Sequence, residues 1–335
     1  NSRISLSNND SSGDATCTLF GYQAGNAIAD GDDNNTMIGH QAGLVTTGNQ
    51  NTYVGFSAGK GASGADAFNV GVGSNALFAV TTGNQNVAVG YNALLALTDG
   101  EINTALGIRA GLALITGDKN VFIGKDAADS ATACSSVIAI GHDTMHTVTT
   151  STDVDGTIAI GESALAALTG GSGNTSIGYL SGALIVGGNN NTAVGYESGS
   201  SLYASGSYNT STGNTSIGYQ SGKNLGQGAS ANYNTSLGYQ AGKNITYGDY
   251  NVAIGSGALL EHTIGDNNIA IGYAAMTDTG NVPDSDDNIF IGTNAGGGTW
   301  VTAESHNNVG IGSSVMVGAM NGALRNTALG YTALT

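Results

Sequence analysis

Residues 174–182 read Asn174-Thr175-Ser176-Ile177-Gly178-Tyr179-Leu180-Ser181-Gly182, and near-copies of that run recur along most of the chain. The clearest are Asn191–Gly199, Asn214–Gly222 and Asn234–Gly242. Aligned on the fifth residue, the copies place glycine at 21, 39, 55, 73, 90, 107, 124, 141, 161, 178, 195, 218, 238, 255, 272, 292, 312 and 330. Eighteen copies over 309 residues give a mean spacing of about 18, with 17 the commonest, a period that signals a solenoid. One unit of this size cannot bury an apolar face alone, so its stability has to come from stacking on its neighbours.

The columns of the alignment predict the strand. The residue before each central glycine is always apolar, as at Ile38, Val54, Val89, Ile123, Ile140, Ile160, Ile177, Val194, Ile217, Ile254, Ile271, Ile291 and Ile311. Two places earlier stands Thr (Thr36, Thr52, Thr175, Thr192) or an aliphatic residue (Val87, Val121, Ile158, Ile269). Residues two apart share a strand face, so each copy reads as a short β-strand with both columns turned into a core. The residue between them is mostly small (Ala88, Ala105, Ala139, Ser176, Ala193) and reads as an outer surface that another backbone can approach closely. The first motif position is Asn in fifteen of eighteen copies, including Asn35, Asn51, Asn86, Asn103, Asn120, Asn174, Asn191, Asn214, Asn234, Asn251 and Asn268. Stacked Asn side chains can bond up such a column. Clusters such as Thr81-Thr82-Gly83-Asn84 and Gly187-Gly188-Asn189 end one coil and start the next. Asn92–Leu97 and Ser163–Leu168 are too short for independent helices and read as a second strand or a tight bend.

The expected fold is therefore all-β: a parallel β-solenoid of about eighteen repeats over residues 17–335, after an N-terminal lead or cap at 1–16. Stacked at strand spacing, the coils would make a rod of about 85 Å. A roll with so narrow a core gains from packing against sister chains, which points to a homo-oligomer, a trimer.

Composition narrows the function classes. The chain of 335 residues has 55 glycines, one proline and a formal charge of −16. Eight Lys and Arg residues, scattered, do not make the basic patch that nucleic acid or anionic lipid requires. Cys17 and Cys134 lie several repeats apart, too far to bridge in a stacked solenoid, and are expected free and buried. No apolar run is long enough to span a membrane as a helix.

Motifs such as Asn251-Val252-Ala253-Ile254-Gly255, Asn268-Ile269-Ala270-Ile271-Gly272 and Thr157-Ile158-Ala159-Ile160-Gly161 resemble the head repeats of YadA-type trimeric autotransporter adhesins. Asn86–Leu94 and Asn326–Leu334 resemble the arrays of bacteriophage tail fibres more closely still. The resemblance covers nearly everything from Cys17 onward. It implies a left-handed parallel β-roll assembled as a homotrimer, in a tail fibre or surface appendage outside the cell or on a virion.

Candidate sites are few. The longer intervals carry Tyr203, Tyr208, Tyr233 and Trp300, aromatics expected at the surface, where ring faces suit a receptor or glycan. Asp30–Asn34 and Asp284–Asn288 have the oxygen-rich opening of a calcium loop without its closing Glu, so calcium is a minor reading beside solvated acidic turns. His142 and His146 are a weaker case for zinc. No nucleophile, base and charge stabiliser occur together, so neither an enzyme nor a cofactor is expected. The function expected is a fibre or adhesin shaft that supports attachment to a host or cell surface, with a self-assembling extracellular filament as the alternative. An ice-binding solenoid is disfavoured because its Thr column would share the core face. A polysaccharide-cleaving β-helix is disfavoured because only three scattered arginines are present.

Overall fold

The structure, a computed structural model, describes residues 16–28, 31–61, 66–148, 153–200, 210–226, 231–277, 285–298, 300, 303–318, 320 and 322–335. The chain divides into two compact units, Asn1–Glu162 and Ser163–Thr335. In the first lie β1 (Thr18–Phe20), β2 (Thr36–Ile38), β3 (Thr52–Val54), β4 (Val70–Val72), β5 (Val87–Val89), β6 (Thr104–Leu106), β7 (Val121–Ile123), β8 (Ile138–Ile140) and β9 (Ile158–Ile160). In the second lie β10 (Thr175–Ile177), β11 (Thr192–Val194), β12 (Thr215–Ile217), β13 (Thr235–Leu237), β14 (Val252–Ile254), β15 (Ile269–Ile271), β16 (Ile289–Ile291), β17 (Val309–Ile311) and β18 (Thr327–Leu329). Within each unit every strand pairs in parallel with the next, motif position on motif position, as in Val87↔Thr104 and Thr192↔Thr215. Among the described residues there is no helix. The fold is the expected parallel β-solenoid.

Each strand is three residues long because both of its ends are held. At its start the Asn column forms a ladder, interrupted at Val137 and Thr157. Asn103 N donates to Asn86 Oδ1 at 2.9 Å, Asn103 Nδ2 donates to the same oxygen at 3.0 Å, and Asn103 Nδ2 also reaches Gly117 O of the next coil at 2.8 Å. The same pattern repeats at Asn251 and Asn268. Fully buried amides are thereby paired, which removes the penalty of burying them. At its end the central glycine turns the chain. Gly178 has φ +134°, and a Cβ there would lie 2.4 Å from Gly195 O, so the close approach of one coil to the next admits no side chain.

Past the glycine the chain makes the tight bend, not a second strand. Leu94 and Leu165 hold φ of 48° and 50°, a left-handed conformation that disfavours side chains by roughly 1–2 kcal/mol each. Hydrogen bonds between coils hold them there, such as Leu94 N to Ala110 O at 3.0 Å and Leu165 N to Ser181 O at 3.0 Å.

The inside and outside of the coil are opposite to the sequence-based expectation. Buried completely are the middle strand residues, including Met37, Tyr53, Ala88, Ala105, Phe122, Ala139, Ala253 and Phe290, with residues three, four and seven past the glycine, such as Ala93, Leu94 and Leu97. The pre-glycine residues Ile38, Val54, Val89, Ile123, Ile140, Ile160, Ile177, Val194, Ile217, Ile254, Ile271, Ile291 and Ile311 face outward and are half-buried or exposed. The Thr column points the same way. A period of two assigns both columns to one face without saying which face is inside. The bend closes over the middle residue, and a coil this tight has no room for two files of branched side chains. Bulk inside is balanced instead. Where the middle residue is large, the residue four past the glycine is small: a Cβ on Gly59 would lie 2.3 Å from Tyr53, and one on Gly296 2.7 Å from Phe290.

Candidate interaction surface

Because the strands pair in register, each motif position becomes a file along a unit, and the outward positions become files on its outside. Three files lie side by side on the sheet face: the Thr or aliphatic file, the aliphatic file before the glycine, and the residue after the glycine. In β10–β13 the middle file is Ile177, Val194, Ile217 and Leu237, and the third is Tyr179, Tyr196, Tyr219 and Tyr239. Ile177 is 38 % exposed and Leu237 43 %. The tyrosine rings stack on one another, with centroids 5.2, 5.4 and 5.1 Å apart and planes within 21°. In the first unit the same file stacks Tyr22, His40 and Phe56 at 5.2 Å. Burial and then the neighbouring Glu197 raise the Tyr196 phenol above its ordinary value. The stack was unread in the sequence, although Tyr recurs at that column.

The sequence-predicted contact residues scatter. Tyr203 and Tyr208 lie outside the described residues. Tyr233 is exposed as expected and stacks on Tyr250 at 5.2 Å. Trp300 is not a surface residue. It is fully buried, packs edge-on against Phe290 with centroids 5.9 Å apart, and donates Nε1–H to Gly296 O at 3.0 Å. Gly296 and Gly310 leave room for the Phe290 ring, the Trp300 ring packs on that ring, and this inward seat outweighs its place in a long interval.

Of the acidic turns, Asp30 and Asp284 lie outside the described residues. Asp33 Oδ1 is buried with no hydrogen-bond partner among the described residues, whereas Asp286 serves the backbone in one column with Asp249 and Asp266. Asp249 Oδ1 accepts from Asn232 N at 2.6 Å, Asp266 Oδ1 from Asp249 N at 2.8 Å, and Asp286 Oδ1 from Asp266 N at 2.7 Å. This second, outer ladder uses carboxylates as acceptors for the N–H groups of the preceding coil. His142 and His146 address different carboxylates, Asp143 at 3.3 Å and Asp129 at 2.8 Å. Asp126, His142 and Asp143 could offer ligand atoms within 4.8 Å of one another. Yet Arg109 Nε already lies 2.5 Å from Asp126 and Lys125 Nζ 3.0 Å. The Arg109 hydrogen bond holds the Asp126 carboxyl down to about 2, and a dication there would have to displace two side-chain cations.

Several ionisable groups among the described residues lie inside the coils, Asp66, Tyr53, His262 and Cys134 among them. Burial raises the Asp66 carboxyl to about 6, where it accepts from the Tyr53 hydroxyl. Burial lowers His262 to about 4, and its Nε2 lies 3.2 Å from Gly265 O. Burial pushes the Cys134 thiol up to about 12. Cys134 is buried and Cys17 half-buried, both free. His262 stands seven past its glycine, in the file of Leu97, Leu114, Leu168 and Ile245. None of these is open to a substrate.

No family model, curated protein or solved structure matches this chain. Among the described residues, no helix is long and apolar enough to cross a membrane.

Proposed function

We propose that the chain is a structural shaft: a homotrimeric fibre or surface appendage of the tail-fibre or YadA-head type, working outside the cell or on a virion and supporting attachment to a receptor or glycan. The observation that carries this reading is the aliphatic file turned outward. A parallel sheet is ordinarily covered on both faces, and one face of this sheet packs only against its own coil. The outward file is apolar at every rung, and contiguous apolar surface of that kind marks an interface. Sister chains laid along the file would bury it, and the mechanism is then mechanical: strand stacking along each chain and packing between chains. The formal charge of −16 supports a partner other than nucleic acid or anionic lipid.

The test is the mass in solution over a range of concentrations. A fixed trimer is expected, and Ile177→Lys with Ile217→Lys should weaken it while leaving the strand pairing intact. Open-ended growth would favour a filament subunit, and a wild-type chain that stays monomeric would sink both. One observation supports a second reading. The file Thr175, Thr192, Thr215 and Thr235 faces out on a regular sheet, which answers the objection to ice binding that it shares the core face, although Val and Ile replace Thr elsewhere in the column. An ice-recrystallisation assay separates the two, since a shaft leaves crystal growth unchanged.

A further inference from the structure

The tyrosine file has chemistry that shaft packing does not use. Tyr179, Tyr196, Tyr219 and Tyr239 are 42, 45, 42 and 54 % exposed, so their ring edges and hydroxyls reach solvent while their faces meet each other. Backbone bonds hold the register beside each ring. Glu197 N donates to Tyr179 O, Gln220 N to Tyr196 O and Gln240 N to Tyr219 O, each at 2.9 Å. Ring faces occupied by neighbouring rings are unavailable for stacking on a flat ligand. What the array does offer is phenols held at fixed, short spacing, the condition under which a bimolecular coupling becomes effectively unimolecular.

We propose that Tyr179, Tyr196, Tyr219 and Tyr239 form an oxidative cross-linking site, at which a haem peroxidase with hydrogen peroxide joins rings of successive coils as dityrosine. The oxidant removes one electron from each of two phenols, and each phenol releases its proton. The two phenoxyl radicals combine through ring carbons ortho to oxygen, forming one C–C bond. Each ring then loses its ortho hydrogen as a proton while its oxygen regains one, so both phenols are restored. Two electrons and two protons leave in all, and they reduce one peroxide to two waters. The bonds would tie residues 17, 23 and 20 positions apart in sequence. Like a disulfide, each tie restricts the unfolded chain, so the coils would be stapled along the file.

The same chain contains its controls. Tyr91 and Tyr273 occupy the same column and are exposed, but the neighbours are Ser74 and Ile108 for one, Ser256 and Thr293 for the other. Tyr233 and Tyr250, stacked within 11°, are a second expected pair. The experiment treats the full chain with a haem peroxidase and hydrogen peroxide, then maps linked peptides by mass spectrometry. Expected are products lacking two hydrogens per link, joining 179 to 196, 196 to 219 and 219 to 239, in chains that keep single-chain size on a denaturing gel. Tyr219→Phe keeps the ring and so the stack; it should abolish the last two links and leave the first. Links at Tyr91 or Tyr273 as abundant as those in the file, links only between chains, or no link within the file would each overturn the proposal. The single-chain readout holds whatever the oligomeric state, so it fails or stands apart from the shaft reading.

Discussion

In β5 and β9 the inward residues are Ala88 and Ala159, and the residues four past the glycine are Leu94 and Leu165. In β10, β12 and β13 the inward residues are Ser176, Ser216 and Ser236, and glycine stands four past the turn, at Gly182, Gly222 and Gly242. The first arrangement fills the coil with aliphatic volume. The second lines it with hydroxyls, and those three past the glycine bond to backbone: Ser181 Oγ donates to Ala193 O at 2.8 Å, Ser198 Oγ to Ser216 O at 2.7 Å and Ser221 Oγ to Ser236 O at 2.7 Å. A small cavity remains beside Ala193, Gly199, Ser216 and Leu225, with room for about one water at most. The Oγ atoms of Ser216 and Ser236 have no protein partner. One backbone scaffold, set by the Asn ladder and the glycine turn, therefore accepts either a packed or a hydroxyl-lined interior.

Removing bulk should separate the two regions most sharply. Phe122→Ala empties a fully buried site and is expected to cost about 3–5 kcal/mol, read as lost hydrogen-exchange protection across β6–β8, with β10–β13 unchanged. Equal loss in both regions would mean that the interiors are not independent.

Acid should act with opposite sign through the two buried groups His262 and Asp66, one in each unit. His262 titrates near 4 folded against about 6.5 unfolded, so the unfolded chain binds more protons between those values. The second unit should lose about 3 kcal/mol as pH falls from 6.5 to 4. Asp66 titrates near 6 folded, against 3.8 for a free carboxyl, so the folded first unit binds more protons in that window. It should gain about 3 kcal/mol as pH falls from 6 to 3.8. Exchange protection measured across this range in each unit checks the signs, and His262→Gln and Asp66→Asn should flatten the respective trends.

The ladder is the feature both regions share, so Asn103→Ala and Asn251→Ala should each destabilise their unit by about 1–3 kcal/mol, by leaving buried N–H groups unpaired. Natural interruptions bound the effect: Val137 N still donates to Asn120 Oδ1 at 3.0 Å, yet Val137 has no side-chain amide to pass the ladder on. The smallest change should come from Ser216→Ala, within about 1 kcal/mol of neutral or stabilising, because the hydroxyl it removes is unsatisfied by protein. A large loss on thermal unfolding would place Ser216 in a bonded network instead.

Much of this was legible. The glycine spacing, the strand at each motif and the Asn column could be read from residues 174–182 and their copies, because a stacked coil repeats its geometry and therefore its residue types. Trp300 was misread because interval length reports an insertion, while its burial depends on the Phe290 ring and the Gly296 carbonyl, which stand in a different part of the alignment. The Tyr53–Asp66 pair and His262 were invisible for a related reason: each occupies a core file as an exception, and an exception carries no periodic signal.

The amino-acid sequence alone determined that the chain climbs by repeats, where each strand starts and stops, and that an amide column binds the coils. Only the tertiary structure decided which face of the strand is inside. Alternation along three residues groups side chains into two sets of equal standing, and the choice between them rests on the volume enclosed once the bend past the glycine closes, a quantity no local pattern contains.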